Sequence, residues 1–148
     1  MLTPSLEDYL EEIYRFSKEL GFIRITDVAH KLNVSLPSVN KAVKILSEKG
    51  YLQYIPYKNI DLTKKGVKLG KFLVYRNQML QNFLEVIGSK ADKEDEAEAI
   101  EHYISKETVI AMTMVVKFFR KYPDIQKQLI KFQKDYRKNE LENFNNDI

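Results

Sequence analysis

The segment Ile25-Thr-Asp-Val-Ala-His-Lys-Leu-Asn-Val-Ser-Leu-Pro-Ser-Val-Asn-Lys-Ala-Val-Lys-Ile-Leu-Ser-Glu-Lys-Gly-Tyr-Leu52 constrains the rest of the chain most strongly. It reads as two short helices joined by a tight turn. Thr26 is placed to cap the first helix, Asp27 suits its positive end, and Val28, Ala29 and Leu32 form one apolar stripe. Asn33-Val34 makes the turn, and the second helix opens between Ser35 and Pro37, where a hydroxyl caps free N–H groups and proline sacrifices no hydrogen bond. Val39, Val43 and Leu46 share its inner face. Pro37, Ser38, Asn40, Lys41 and Lys44 therefore point outward, and Gly50 ends the helix.

A pair of helices like this also forms corners of ordinary bundles; the residues that follow argue for something more specific. Tyr51-Leu-Gln-Tyr54 and Ile60-Asp-Leu-Thr63 alternate as short strands, with Pro56-Tyr-Lys-Asn59 between them as a turn tipped by Lys58. Helix-turn-helix plus hairpin is a winged helix. Such a module puts its second helix in the major groove and lays its wing along the backbone, so the outward residues of the second helix and Lys58 are candidate DNA contacts.

Composition adds exclusions. The chain of 148 residues contains no cysteine, which removes disulfides, thiolate metal sites and cysteine catalysis. There is neither a basic-then-apolar amino terminus nor an apolar run of membrane length, so a cytoplasmic protein is expected. The net charge of +3 is too small to argue for nucleic acid, but its distribution is uneven. Lys41, Lys44, Lys49, Lys58, Lys64, Lys65, Lys68, Lys71 and Arg76 fall in or just after the winged region, whereas Asp92, Glu94, Asp95, Glu96, Glu98 and Glu101 crowd a later segment.

The remaining pattern is helical. Leu6, Tyr9, Leu10, Ile13, Tyr14 and Phe16 predict a first helix capped by Ser5 and stopped by Gly21; Phe22-Ile-Arg-Ile25 has the composition of a small strand beside the wing. Thr63 caps a long helix from about Lys64 to Ile87, roughly 35 Å at 1.5 Å per residue. Within it Gly66 and Gly70 favour close packing over helix propensity. Helices from Lys93 to Ile104, from Ser105 to Tyr122 and from Pro123 follow, ending in an asparagine-rich tail expected to be disordered. The fold class is mainly α: a winged helix-turn-helix DNA-binding domain over 1–70, a helical dimerisation domain over 71–138, and a tail over 139–148. The second half carries more apolar surface than it can bury alone, which a homodimer would relieve while presenting two recognition helices to a two-fold operator.

Glu98, Glu101 and His102 lie at i, i+3 and i+4, and Asp8 and Glu11 lie one turn apart on the first helix. Carboxylates and an imidazole brought together need a cation between them, although acidic residues at this spacing are also common on solvated helix faces.

These blocks together resemble the diphtheria-toxin-repressor family of metal-dependent transcriptional regulators, in its branch of manganese transport regulators. The resemblance runs from Thr3-Pro-Ser-Leu-Glu-Asp-Tyr-Leu-Glu-Glu-Ile-Tyr14 through Leu62-Thr-Lys-Lys-Gly66 and Leu73-Val-Tyr-Arg76 to Glu98-Ala-Ile-Glu-His102, and fades beyond about Glu107. It implies a homodimeric, non-enzymatic repressor that binds operator DNA of metal-uptake genes when loaded with Mn²⁺ or Fe²⁺. It further implies up to two ions per subunit, with ligands at Asp8, Glu11, residue 77, Glu98, Glu101 and His102, and no SH3-like third domain. The chain departs from the pattern at Asn77, where these regulators usually carry histidine, and a neutral amide oxygen is a weaker donor. Two alternatives stay open: a winged-helix repressor whose metal sensing is lost or changed, and a helical di-metal enzyme.

Overall fold

A computed structural model describes residues 2–54 and 60–139. The element order is α1 (Pro4–Glu19), α2 (Ile25–Lys31), α3 (Leu36–Glu48), β1 (Leu52–Tyr54), β2 (Ile60–Leu62), α4 (Lys64–Val86), α5 (Lys93–Ile100), a 3₁₀ turn (Glu101–Tyr103), α6 (Lys106–Lys121) and α7 (Pro123–Asn139). The chain divides into two compact units between Tyr75 and Arg76, so α4 contributes residues to both.

In the first unit α1, α2 and α3 pack on one another and α3 leads into an antiparallel hairpin, in which Leu52 faces Leu62 and Tyr54 faces Ile60. Leu10 and Ile13 of α1, Val28 of α2, Val39, Val43 and Leu46 of α3, and Leu73 of α4 are fully enclosed in one core. This is the apolar periodicity of the sequence turned inward. Asn33 takes a left-handed backbone conformation (φ 51°) in the turn, and Gly50 (φ 77°) ends α3, conformations that asparagine and glycine adopt at least cost.

Several local expectations are corrected. The cap of α1 is Thr3, whose hydroxyl accepts from the Leu6 amide at 3.4 Å, with Pro4 rather than Ser5 opening the helix. Helix α2 begins at Ile25 from an extended Arg24 without a side-chain cap, so Thr26 lies inside it. Burial of Ile23, with Ile25 against the same core, outweighs the capping preference. The segment 22–25 forms no strand; among the described residues the sheet has β1 and β2 alone. The wing tip, Lys58 included, lies outside the described residues, as does 140–148 of the tail, whereas Asn139 still belongs to α7.

The joint between wing and α4 is closely fitted. Thr63 donates its hydroxyl to the carbonyls of Gly50 (2.7 Å) and Tyr51 (3.1 Å) and accepts from the Gly66 amide (3.1 Å), while Lys65 Nζ donates to the Lys49 carbonyl (2.8 Å). A Cβ on Gly66 would stand 2.0 Å from the Tyr51 oxygen, and one on Gly70 would stand 2.6 Å from Cβ of Tyr14. Both glycines therefore exist for packing.

In the second unit Met79, Val86, Val109 and Val116 form a small core with Phe83, Ile87, Ile104 and Phe119 around it. The last carbonyls of α4 are satisfied from α7: Gln126 Nε2 donates to Val86 O (3.1 Å) and Gln133 Nε2 to Ile87 O (2.7 Å). Ile110, Met114 and Phe118 of α6 and Phe132 of α7 remain exposed in a single copy. The continuous helix expected from Lys93 to Ile104 stops at Ile100. Glu101–Tyr103 turns as a 3₁₀ element because Ile104 must enter the core in extended conformation before Ser105 caps α6, accepting from the Thr108 amide at 3.2 Å.

Candidate DNA-binding face and metal centre

Helix α3 is fixed from beneath and open above. Ser35 caps it, its hydroxyl accepting from the Ser38 amide at 3.3 Å, and Val39, Ala42, Val43 and Leu46 anchor it. Pro37, Ser38, Asn40, Lys41 and Lys44 are all exposed on the opposite side. The rigid part of the helix thus presents an amide, a hydroxyl and two cations to solvent, the donor chemistry that reads base edges and holds phosphate.

The candidate metal ligands divide between the units. On α1, Asp8 is half-buried and Glu11 buried. Oε1 of Glu11 is held by Arg15, which donates from Nη2 at 2.6 Å and Nε at 3.2 Å; Arg15 Nε also lies 3.6 Å from Glu12. Burial pushes the Glu12 carboxyl above its usual range; Arg15 and Lys31 oppose that rise, and Glu11 and Glu19 add to it.

In the second unit Glu101 is 2% exposed and His102 half-buried. Between them stands Arg76, only 4% exposed: its Nε lies 3.6 Å from Glu101 Oε2 and its Nη2 is 3.3 Å from His102 Nδ1. Arginine has no acceptor, so Nδ1 must receive that bond, and the neutral ring then carries its proton on Nε2, which is 3.8 Å from Glu101 Oε1. Arg76 is therefore not part of the basic surface to which its sequence position assigned it; burial beside a carboxylate makes it an internal counter-ion. Glu98 is exposed on α5, on the far side of the break at Ile100 from Glu101 and His102. Asn77 is half-buried, its amide oxygen accepting from Gln81 Nε2 at 2.8 Å.

Arg15 and Gln81 did not stand out in the sequence, and Arg76 stood out only as one basic residue among several. A signal existed for two of them: Arg15 lies at i+4 from Glu11 and Gln81 at i+4 from Asn77, where helix side chains meet. Arg76 carried none, because its partners are 25 and 26 residues away.

The donor set fits a divalent cation of hard or borderline character: carboxylates and an imidazole without thiolate. Glu101 and His102 already favour positive charge, since a buried guanidinium is drawn to both.

A winged helix-turn-helix joined to a helical unit with a carboxylate–imidazole cluster defines a metal-dependent DNA-binding regulator. The comparisons agree. Residues 1–60 match the family model described as iron dependent repressor, N-terminal DNA binding domain, and residues 63–129 match iron dependent repressor, metal binding and dimerisation domain. The chain is 42% identical over 144 residues to the HTH-type transcriptional regulator MntR of Bacillus pumilus, spanning 97% of this chain and 98% of that one. It is 40% identical over 135 residues to MntR of Bacillus subtilis, spanning 90% and 95%. Among solved structures, the manganese regulator SloR superposes with a TM-score of 0.68 at 29% identity, over 79% of this chain and 55% of that one; the chain thus spans about half the length of that protein.

The chain belongs to the iron-dependent repressor family, among its MntR-type members. It is a metal-dependent helix-turn-helix transcriptional regulator that binds DNA and a divalent metal and carries a dimerisation domain. These relatives are transcriptional regulators. Among the described residues no helix is long and apolar enough to cross a membrane.

Proposed function

We propose that this chain is a cytoplasmic, homodimeric repressor of metal-uptake genes, activated by Mn²⁺ or Fe²⁺. The buried Glu101–His102 cluster, already matched to a cation, is the observation that carries the reading. Asp8 and Glu11 of α1 would join it as ligands, with Glu98 and Asn77 completing up to two metal positions per subunit. Bound metal supplies the divalent charge that allows these carboxylates to share one site. Support for two full positions is weakest at Asn77, whose neutral oxygen is engaged by Gln81. Ligands drawn from both units would restrict how the winged helix moves, favouring the arrangement that fits the operator. The apolar side chains left open on α6 and α7, such as Met114 and Phe132, are suited to face a second copy.

On DNA, Ser38, Asn40, Lys41 and Lys44 would face the groove, Pro37 would offer apolar contact to a thymine methyl, and Lys58 would hold phosphate on the wing. Replacing Lys41 with alanine should weaken operator binding about tenfold, the scale of one good contact; unchanged affinity in a fluorescence anisotropy titration would remove Lys41 from the interface.

The central experiment is operator binding by chelator-treated protein at fixed salt, with and without Mn²⁺ or Fe²⁺. Affinity should rise about 5- to 150-fold on adding metal, the usual range of a coupling between two sites. Binding equally tight in the presence of chelator would overturn activation by metal.

A further inference from the structure

Both arginines beside the candidate ligands donate to atoms that a metal could otherwise use. Neutral imidazole has one in-plane nitrogen lone pair able to accept a hydrogen bond or bind a metal, and in His102 it is on Nδ1, where Arg76 Nη2 donates at 3.3 Å. A cation binding Nδ1 must displace that guanidinium group. A cation binding Nε2 instead requires the ring proton to move to Nδ1, which sets donor against donor at the same contact. Either route breaks the Arg76–His102 bond. In the other unit Arg15 places two N–H groups on a single oxygen of Glu11, at 2.6 and 3.2 Å, and reaches Glu12 as well.

Resting on the reading of Glu11, Glu101 and His102 as ligands, we infer that Arg15 and Arg76 are internal competitors of the metal: they neutralise the ligands in the metal-free chain and raise the metal concentration at which the regulator switches. Charge alone explains why such residues are tolerated. Glu101 is buried and needs a positive partner when no metal is present. The same partner then sets a threshold, because a metal ion binds only by the excess of its own attraction over that of guanidinium.

The test is a Mn²⁺ titration of the metal-stripped full-length chain, with free Mn²⁺ read by electron paramagnetic resonance. Arg15 has a third of its side chain exposed, so Arg15→Gln should fold. It should bind Mn²⁺ about two- to fivefold more tightly than the parent chain, the scale of a partly exposed ion pair. Arg76→Lys keeps the buried charge but loses the planar fork, and should also bind more tightly. Lys18→Gln removes the same charge from the exposed end of α1 without touching Glu11 and should leave affinity unchanged. If the parent chain binds Mn²⁺ and neither arginine variant binds it more tightly, or Lys18→Gln tightens binding equally, the competition is refuted while the ligand assignment stands. If the parent chain binds no Mn²⁺, the ligand assignment fails and the inference falls with it. Should Arg76→Lys not fold by circular dichroism, Arg15→Gln decides.

Discussion

Replacing Glu101 with leucine is expected to destabilise the second unit by about 3–5 kcal/mol, the penalty for removing one partner of a buried ion pair. The leucine fits the volume, and that is why the result is informative. Arg76 would stay 4% exposed and lose the carboxylate 3.6 Å from its Nε, so the loss comes from weakened compensation of a buried charge and not from a cavity. Glu101→Gln keeps the shape and an amide oxygen and should fall between leucine and the parent. Urea denaturation of the metal-free protein, followed by circular dichroism, separates these cases. Equal stability of Glu101→Leu and the parent chain would show that the buried pair contributes nothing, and would leave the cluster to be explained by function alone. The three chains also separate folding from sensing: a glutamine variant that folds yet no longer tightens on its operator with metal would locate the defect in coordination.

The second large effect is expected at Gly66. Alanine there should cost about 3 kcal/mol, the upper end for overpacking, because its Cβ would stand 2.0 Å from the Tyr51 carbonyl oxygen, and backbone cannot swing aside as a side chain can. The same carbonyl accepts from the Thr63 amide and hydroxyl, so moving it also strains the cap of α4. Gly21→Ala is the control. No atom lies within 4 Å of a Cβ there, and the cost is that of a positive φ alone, about 1 kcal/mol. Similar losses for the two variants in thermal unfolding would show that the joint relaxes and that Gly66 is not a packing residue. Because Gly66 lies where the wing meets α4, its variant should lose operator affinity together with stability.

How much of this was legible beforehand follows from the range of the interactions involved. Helix α3, its Ser35 cap and its outward Asn40, Lys41 and Lys44 could be read directly, since apolar spacing, capping and glycine termination all act within a few residues. The same holds for Thr63 at the start of α4 and Ser105 at the start of α6. Errors arose where a local preference met a tertiary demand. Thr26 lost its capping role once Ile23 was buried, and the helix read through to Ile104 broke at Ile100 because Ile104 belongs to the core. That break set the exposed Glu98 apart from the buried Glu101, two residues that the i, i+3 spacing had placed on one helix face.

By itself, then, the sequence determined a winged helix-turn-helix with a basic outward face, a second helical unit and carboxylate and imidazole side chains at helical spacing, because these follow from periodicity and residue type. Tertiary structure alone decided which charges are buried. Arg76 and Glu101 were grouped in sequence with a basic and an acidic segment, Glu101 also as a candidate ligand, yet they lie 3.6 Å apart, both buried, with His102 beside them. The sign of a charge is written in the chain, but its solvation and its partner depend on contacts between distant residues, and those set whether it steers DNA, binds a metal or holds the metal's place.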